Sequence, residues 1–317
     1  MLPGIGAGIE NRRKWQFAVD GYNWITVDKR RMCPNCRAFI SSSDRVCPYC
    51  EAHIGPRAIE LRSAEALSTF IPHAYMTSVI ILVINFAMYF AMIAVSVHYS
   101  QGTVAESLGS VWQGFSGQVL LLFGGKYGPA ITQGGQWWRL LTAGFVHGSL
   151  FHIAMNTWVM FDLVAEVEQF YGTARLVIIY LFSTFTGFLL STIWAPGTIS
   201  IGASAACFGL IGAMMAIGIG RSHPMAQAIR SYYRRWAVYG IIFSFMPFMR
   251  IDVAAHLGGL AGGFIVGYIA GLPSGPQSTR ERVCQAVAGV SLLALIYCFL
   301  QDFRFFEAFQ ANMFSRQ

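Results

Sequence analysis

Seven apolar runs, near 71–97, 150–164, 174–194, 201–220, 236–248, 253–272 and 283–300, divide this chain. Such runs leave little choice of structure. About 20 residues at about 1.5 Å rise cross a hydrocarbon core, and within it each segment must satisfy its own backbone N–H and C=O groups, which makes it a helix. With 55% hydrophobic and 12% charged residues over 317 positions, the chain holds more apolar surface than a water-soluble core of that size needs. The expectation is an all-α polytopic membrane protein. The second and fifth runs are short for a full span. The fourth and sixth are thick with glycine, and Gly258/Gly262, Gly259/Gly263, Gly263/Gly267 and Gly267/Gly271 carry the four-residue spacing of small residues that lets membrane helices approach closely.

The extreme N-terminus shows no short apolar stretch with a small-residue cleavage site, so the first helix is expected to act as the insertion signal. Ten of the 22 Lys and Arg residues precede that helix, and Arg221, Arg230, Arg234 and Arg235 follow the fourth. Placing the N-terminus in the cytoplasm puts 17 positive residues inside and 5 outside, as the positive-inside rule requires. The net charge of +7 therefore reads as a topology signal that also suits anionic lipid headgroups, and nucleic acid is set aside as a partner. An Arg-rich, Ser-rich, acid-poor leader is absent, which favours a bacterial inner (plasma) membrane over a mitochondrial one.

Four of the seven cysteines fall in one tract, Cys33-Pro34-Asn35-Cys36 and, ten residues on, Cys47-Pro48-Tyr49-Cys50. Two CxxC knuckles so spaced point to a closed four-thiolate zinc site, in which metal binding supplies the folding free energy of a segment too small for its own core. Disulfide and redox readings compete, and the cytosolic placement argues against stable disulfides. Residues 1–67 then form a cytosolic region with a zinc ribbon at about 31–52 and a linker over 51–70 carrying Gly55-Pro56 and one short helix. The ribbon reads as an interaction or structural module with an unidentified cytosolic partner. Cys207, Cys284 and Cys298 read as buried small hydrophobes, with Cys207 close enough to Ser204 to be a rival nucleophile.

The connection 98–148 carries Trp112, Phe115, Trp137 and Trp138. A connection of that length needs structure of its own, and its aromatics suit the membrane interface, so short helices are expected there.

Polar residues in the apolar runs mark chemistry, because they are costly at membrane depth. Ser204 lies in Ile201-Gly202-Ala203-Ser204-Ala205-Ala206-Cys207-Phe208-Gly209 and His256 in Ala255-His256-Leu257-Gly258-Gly259, while His147, His152 and Asn156 crowd the head of the second run. A serine hydroxyl needs a neighbouring base, and a developing oxyanion needs preorganised donors. His152 and Asn156 are i and i+4 on one helical face. Ser204 follows Gly202-Ala203 at a helix start, where free backbone N–H groups add donors. Together these residues suggest acyl transfer. Taken singly, each has a plainer reading: a serine bonding back to its own helix, a histidine as cap or interfacial residue. Asp252, four residues before His256, is either an orienting acid or a cap. Glu166 and Glu168 read as surface or capping charges.

In order along the chain stand Trp138-Arg139, His147-x4-His152-x3-Asn156, Gly202-x-Ser204 and Ala255-His256-x-x-Gly259. With these motifs, residues 70–272 resemble the rhomboid intramembrane serine protease family. The resemblance implies a six-helix bundle over 68–275, with 276–317 adding one C-terminal transmembrane helix and an outside tail from Gln301. It implies a Ser204–His256 dyad, an oxyanion hole from His152 and Asn156, and a structural His147. Trp138 and Arg139 would hold the first loop at the interface, and Gly258 or Gly259 would let the sixth helix pack on the fourth. Catalysis would need no cofactor, and transmembrane segments entering from the bilayer would be the substrates. Two positions depart from the family pattern: Ala205 stands where glycine is common, and Phe208 where many members carry a tyrosine packed on the catalytic histidine. The alternatives are a catalytically silent client-binding relative or a zinc-ribbon membrane adaptor.

Overall fold

A computed structural model describes residues 30–33, 35–36, 39–41, 45–53, 76–99, 109, 111–217, 219, 224–246, 251–273 and 278–314. Residues 54–70 of the predicted linker, Arg221, and most of 98–110 lie outside the described residues. The chain divides between Arg62 and Ser63 into two units.

In the first unit, β1 (Arg30–Met32) and β2 (Phe39–Ser41) pair antiparallel, with Arg31 opposite Ile40. Cys33, Ile40 and Cys47 form a three-residue buried cluster. An isolated bridge joins Val46 to His53. So small an apolar interior cannot hold a fold without a staple.

The second unit is helical: α1 (Met76–Tyr99), α2 (Gly117–Leu122), α3 (Gly128–Thr132), α4 (Arg139–Thr142), α5 (Leu150–Tyr171), α6 (Thr173–Trp194), α7 (Ser204–Ala216), α8 (Pro224–Ser244), α9 (Val253–Ala270) and α10 (Thr279–Phe314). Each of the seven apolar runs yields one of the long helices or α7. Among the described residues, α1, α5, α6, α9 and α10 are long and apolar enough to cross a membrane, and the chain is an integral, multi-pass membrane protein. The helix α7 spans only 13 residues, and nearly all of them are buried. As expected, the first long connection folds into short helices, α2 to α4, followed by a 3-10 turn at Ala143–Phe145. Trp112 and Trp137 are exposed there and Phe115 is buried.

The two runs that looked short are extended by partnered polar residues. Helix α5 continues to Tyr171, and Glu168 is buried, accepting hydrogen bonds from Thr77 of α1 at 2.7 Å and Thr173 of α6 at 2.7 Å. Glu166 accepts from the Tyr233 hydroxyl of α8. Both glutamates therefore join helices, where the sequence suggested surface or capping charges. Helix α8 starts 12 residues before the apolar run proper, at Pro224, and carries Arg230, Arg234 and Arg235 on its first turns.

The last helix also runs past its apolar stretch, so Gln301 to Arg304 are helical where a tail was expected. At one end Arg175 of α6 makes a bidentate ion pair with Glu281, 2.7 Å for each bond. At the other, Asp302 accepts from Trp138 Nε1 at 3.2 Å, and Phe305 lies 5.1 Å beneath the Arg139 guanidinium. Phe299 and Phe306 pack on Phe145 and Phe123 of the first loop.

At the centre, α7 lies directly on α9. A methyl on Gly259 would strike the Ala205 carbonyl, and one on Gly263 the Gly209 carbonyl. Gly258 faces the other way, where a methyl would lie 2.6 Å from the Thr186 carbonyl of α6. The glycine pair thus serves two neighbours: Gly259 meets α7 and Gly258 meets α6. Overpacking of such a contact costs about 1–3 kcal/mol or more. Gly263→Val is expected to lose stability in that range, read as a lower unfolding midpoint in detergent. Gly289→Ala on α10, where an added methyl meets nothing within 4 Å, is expected to leave the midpoint unchanged.

Candidate active site

Ser204 is the first residue of α7, and the turn before it is set by Gly202, whose φ of +113° suits glycine. The Gly202 N–H donates to the Ala143 carbonyl at 2.9 Å, which ties this turn to the first loop. His256 sits in the first turn of α9, whose N-cap is Asp252: its Oδ1 accepts the Ala255 N–H at 3.0 Å. The other Asp252 oxygen takes the Ser191 hydroxyl of α6. Asp252 therefore caps the helix, the second of the two sequence readings.

The close approach of α7 and α9 brings Ser204 Oγ to 2.8 Å from His256 Nε2. His256 is buried and Ser204 half-buried. Phe208, one turn along α7, stacks on the imidazole with centroids 4.1 Å apart and planes at 21°. A third contact was not visible in the sequence. Ser244 Oγ, at the end of α8, lies 2.7 Å from His256 Nδ1.

His152 and Asn156 face the Gly202 turn, where a methyl would lie 2.5 Å from His152 Nε2 and 3.8 Å from Asn156 Nδ2. The Gly148 N–H donates to His152 Nδ1 at 3.4 Å, so Nδ1 accepts and Nε2 carries the hydrogen. That hydrogen is on the side of the ring that meets the Gly202 turn, two residues before Ser204. The Asn156 amide donates one hydrogen to the His152 carbonyl at 2.9 Å, which leaves its second available. His147 is buried edge-on to His152, centroids 5.2 Å apart, and burial pushes its imidazole down to about 3, a neutral ring.

Trp138 and Arg139 are placed by the first loop and α10. The Arg139 side chain donates to Gln136 Oε1 at 2.6 Å and to the carbonyls of Leu121 and Gly125 at 2.7 and 2.9 Å. It is 1% exposed, so this arginine ties loop backbone together, with its charge dispersed over carbonyls and the Phe305 ring. Cys207 is packed in the apolar core with Leu210 and Ala203.

Residues 134–273 match the family described as Rhomboid domain, a stretch that holds Ser204, His256, His152, Asn156, Trp138 and Arg139. This stretch is similar to a rhomboid domain. The chain is 33% identical over 175 residues to the rhomboid protease GluP of Bacillus subtilis, covering 55% of this chain and 34% of that protein. It is 33% identical over 154 residues to rhomboid-like protease 3 of Toxoplasma gondii, 48% of this chain and 58% of that protein. To the mitochondrial RHOMBOID-like protein 6 of Arabidopsis thaliana it is 34% identical over 169 residues, 48% and 49% of the two chains. The matched stretch thus spans between about a third and three-fifths of these relatives' lengths.

In the first unit the Sγ atoms of Cys33, Cys36, Cys47 and Cys50 all lie within 4.8 Å of one another. Cys33–Cys50 and Cys36–Cys47 are each separated by 3.6 Å. Tetrahedral thiolate ligands at about 2.3 Å from a metal stand about 3.8 Å apart, so the four sulfurs fit one ion. The Cys36 backbone N–H holds the Cys33 thiol down to about 6, toward the thiolate that a metal needs, and the Ala52 backbone lowers Cys50.

The turn before Ser204 has no room for a side chain. Gly202→Ala is expected to lose roughly 1–3 kcal/mol of stability from the positive φ and the His152 contact, read as a lower unfolding midpoint.

Proposed function

We propose that this chain is an intramembrane serine endopeptidase that cleaves transmembrane segments of membrane proteins through Ser204 and His256. The observation that carries the reading is the 2.8 Å contact between Ser204 Oγ and His256 Nε2, set beside the two donors that face Gly202. The names of the relatives point the same way.

In this mechanism a substrate segment enters from the lipid and unwinds, which exposes a backbone carbonyl beside Ser204. The Ser204 proton passes to His256 Nε2 as Oγ attacks the carbonyl carbon, and the oxyanion that forms is held by His152 Nε2–H and the free Asn156 N–H. His256 then gives its proton to the leaving amine as the C–N bond breaks. Water attacks the ester, its proton goes to Nε2, and the acid leaves as the proton returns to Ser204. Gly202, Ala203 and Ala205 beside Ser204 are small, and small substrate residues near the scissile bond are expected to fit best.

The cysteine cluster is proposed to hold one structural zinc ion, closed by four thiolates and without an open position for catalysis. A cytoplasmic N-terminus and a bacterial inner membrane are the proposed placement, supported by the basic residues before α1 and after α7.

Cleavage of a model transmembrane substrate by the detergent-purified chain, with a fluorophosphonate label alongside, tests the reading. Wild type is expected to cut and label, and Ser204→Ala and His256→Ala to do neither. Asn156→Ala is expected to lose about 10²- to 10³-fold in kcat, as for one oxyanion donor. A folded wild type that neither cuts nor labels sinks the proposal, and a Ser204→Ala variant that still cuts sinks the nucleophile. Elemental analysis is expected to find about one zinc per chain, falling to near zero in Cys33→Ser/Cys36→Ser.

A further inference from the structure

Two hydroxyl groups flank the His256 ring, one at each nitrogen. Ser204 Oγ is 2.8 Å from Nε2, and Ser244 Oγ is 2.7 Å from Nδ1. Ser244 is 4% exposed, on the final turn of α8. Its oxygen also lies 2.7 Å from the Gly240 carbonyl, one turn back along the same helix. A carbonyl can only accept, so the single hydroxyl proton of Ser244 is directed to Gly240. What the hydroxyl turns toward His256 is then a lone pair. For that contact to be a hydrogen bond, Nδ1 must carry the hydrogen, and a neutral imidazole protonated at Nδ1 has a bare Nε2.

We propose that Ser244 is a positioning residue that holds His256 in the Nδ1–H tautomer, leaving Nε2 free to take the Ser204 proton. The proposal rests on the Ser204–His256 reading above. The proton balance involves only those two residues: Ser204 loses a proton, Nε2 gains it, and Nδ1 keeps its own. Ser244 exchanges nothing, but its oxygen faces the imidazolium that forms.

The surroundings assign this role to Ser244 rather than to an acid. Asp252, the carboxylate nearest in sequence, is committed to the Ala255 N–H and the Ser191 hydroxyl. The same turn of α8 also fixes the ring's face. A methyl on Gly240 would lie 2.7 Å from Phe208 Cζ, so the bare glycine admits the phenyl ring that stacks on His256. Helix α8 therefore sets the tautomer through Ser244 and leaves space for the stacking partner through Gly240. A serine that only bonded back to its helix would leave the imidazole unaffected when removed.

The test uses the full chain labelled with 15N-histidine in detergent micelles, at a pH where the ring is neutral. His256 signals are identified by their loss in His256→Ala. Wild type is expected to show Nδ1 protonated and Nε2 bare. In Ser244→Ala the two tautomers are expected to mix, and Ser244→Thr, which keeps a back-bonding hydroxyl, is expected to restore the wild-type pattern. In the cleavage assay Ser244→Ala is expected to lose about ten- to a hundredfold in kcat with KM within about twofold, and Ser244→Thr to recover most of it. A wild-type spectrum with Nε2 protonated overturns the proposal, and so does Ser244→Ala with wild-type shifts and rate. The wild-type spectrum is read without turnover and without any Ser244 variant folding. A chain that shows the Nδ1–H tautomer yet cuts nothing therefore supports this assignment and counts against the protease reading alone.

Discussion

The separation of α7 and α9 is set by backbone touching backbone. Gly259 meets the Ala205 carbonyl and Gly263 the Gly209 carbonyl, with no side chain between. In lipid this contact gains little from the hydrophobic effect, since the tails are as apolar as the helices, and dispersion between closely fitted surfaces holds it. Ser204 and His256 occupy first-turn positions on these two helices, so the helix spacing becomes the hydrogen-bond length between them. A side chain inserted at Gly259 would move a whole helix, and proton transfer does not tolerate a gap much beyond hydrogen-bond reach.

Around that contact, ionisable groups are matched one by one. Arg175 has Glu281 and the Ala270 carbonyl, Glu168 has two threonine hydroxyls, Asp252 has Ser191 and its own helix start, and Arg139 has two carbonyls, a glutamine and a ring. A charge left alone among apolar helices is expensive, so each of these pairs both satisfies a charge and fixes which helices are neighbours. Polar matching supplies the pairing specificity that apolar surfaces alone do not.

The parts legible in the sequence were those with a local signature. Long apolar runs gave the helices because lipid permits few alternatives, and two CxxC knuckles gave the sulfur cluster because four thiolates need that spacing. Ser204, His256, His152 and Asn156 stood out as polar residues in apolar surroundings. Ser244 did not, although it is equally polar, because a serine near the end of an apolar helix is satisfied by its own carbonyl and nothing local says that a second helix reaches its other lone pair. Helix α5 looked short because Glu166 and Glu168 seem to end it when read alone, and only α1, α6 and α8 explain why those charges stay. The two meanings of Gly258 and Gly259 could not be separated in one dimension, since adjacent residues on a helix point about 100° apart and each finds a different neighbour. The link from α10 back to the first loop was likewise invisible, because Trp138 and Asp302 are 164 residues apart.

That separation has a consequence in time. At about 5–20 residues per second, Trp138 is added to the chain about 8–33 s before Asp302. Through that interval the loop that carries Trp138 and Arg139 lacks Asp302 and the Phe299, Phe305 and Phe306 rings that later pack against it. The turn bearing Gly202 is bonded to the same loop through Ala143, so the surroundings of Ser204 lack these contacts until the last helix inserts. Order of synthesis thus delays the finished surroundings of Ser204 until nearly the whole helical unit has been made.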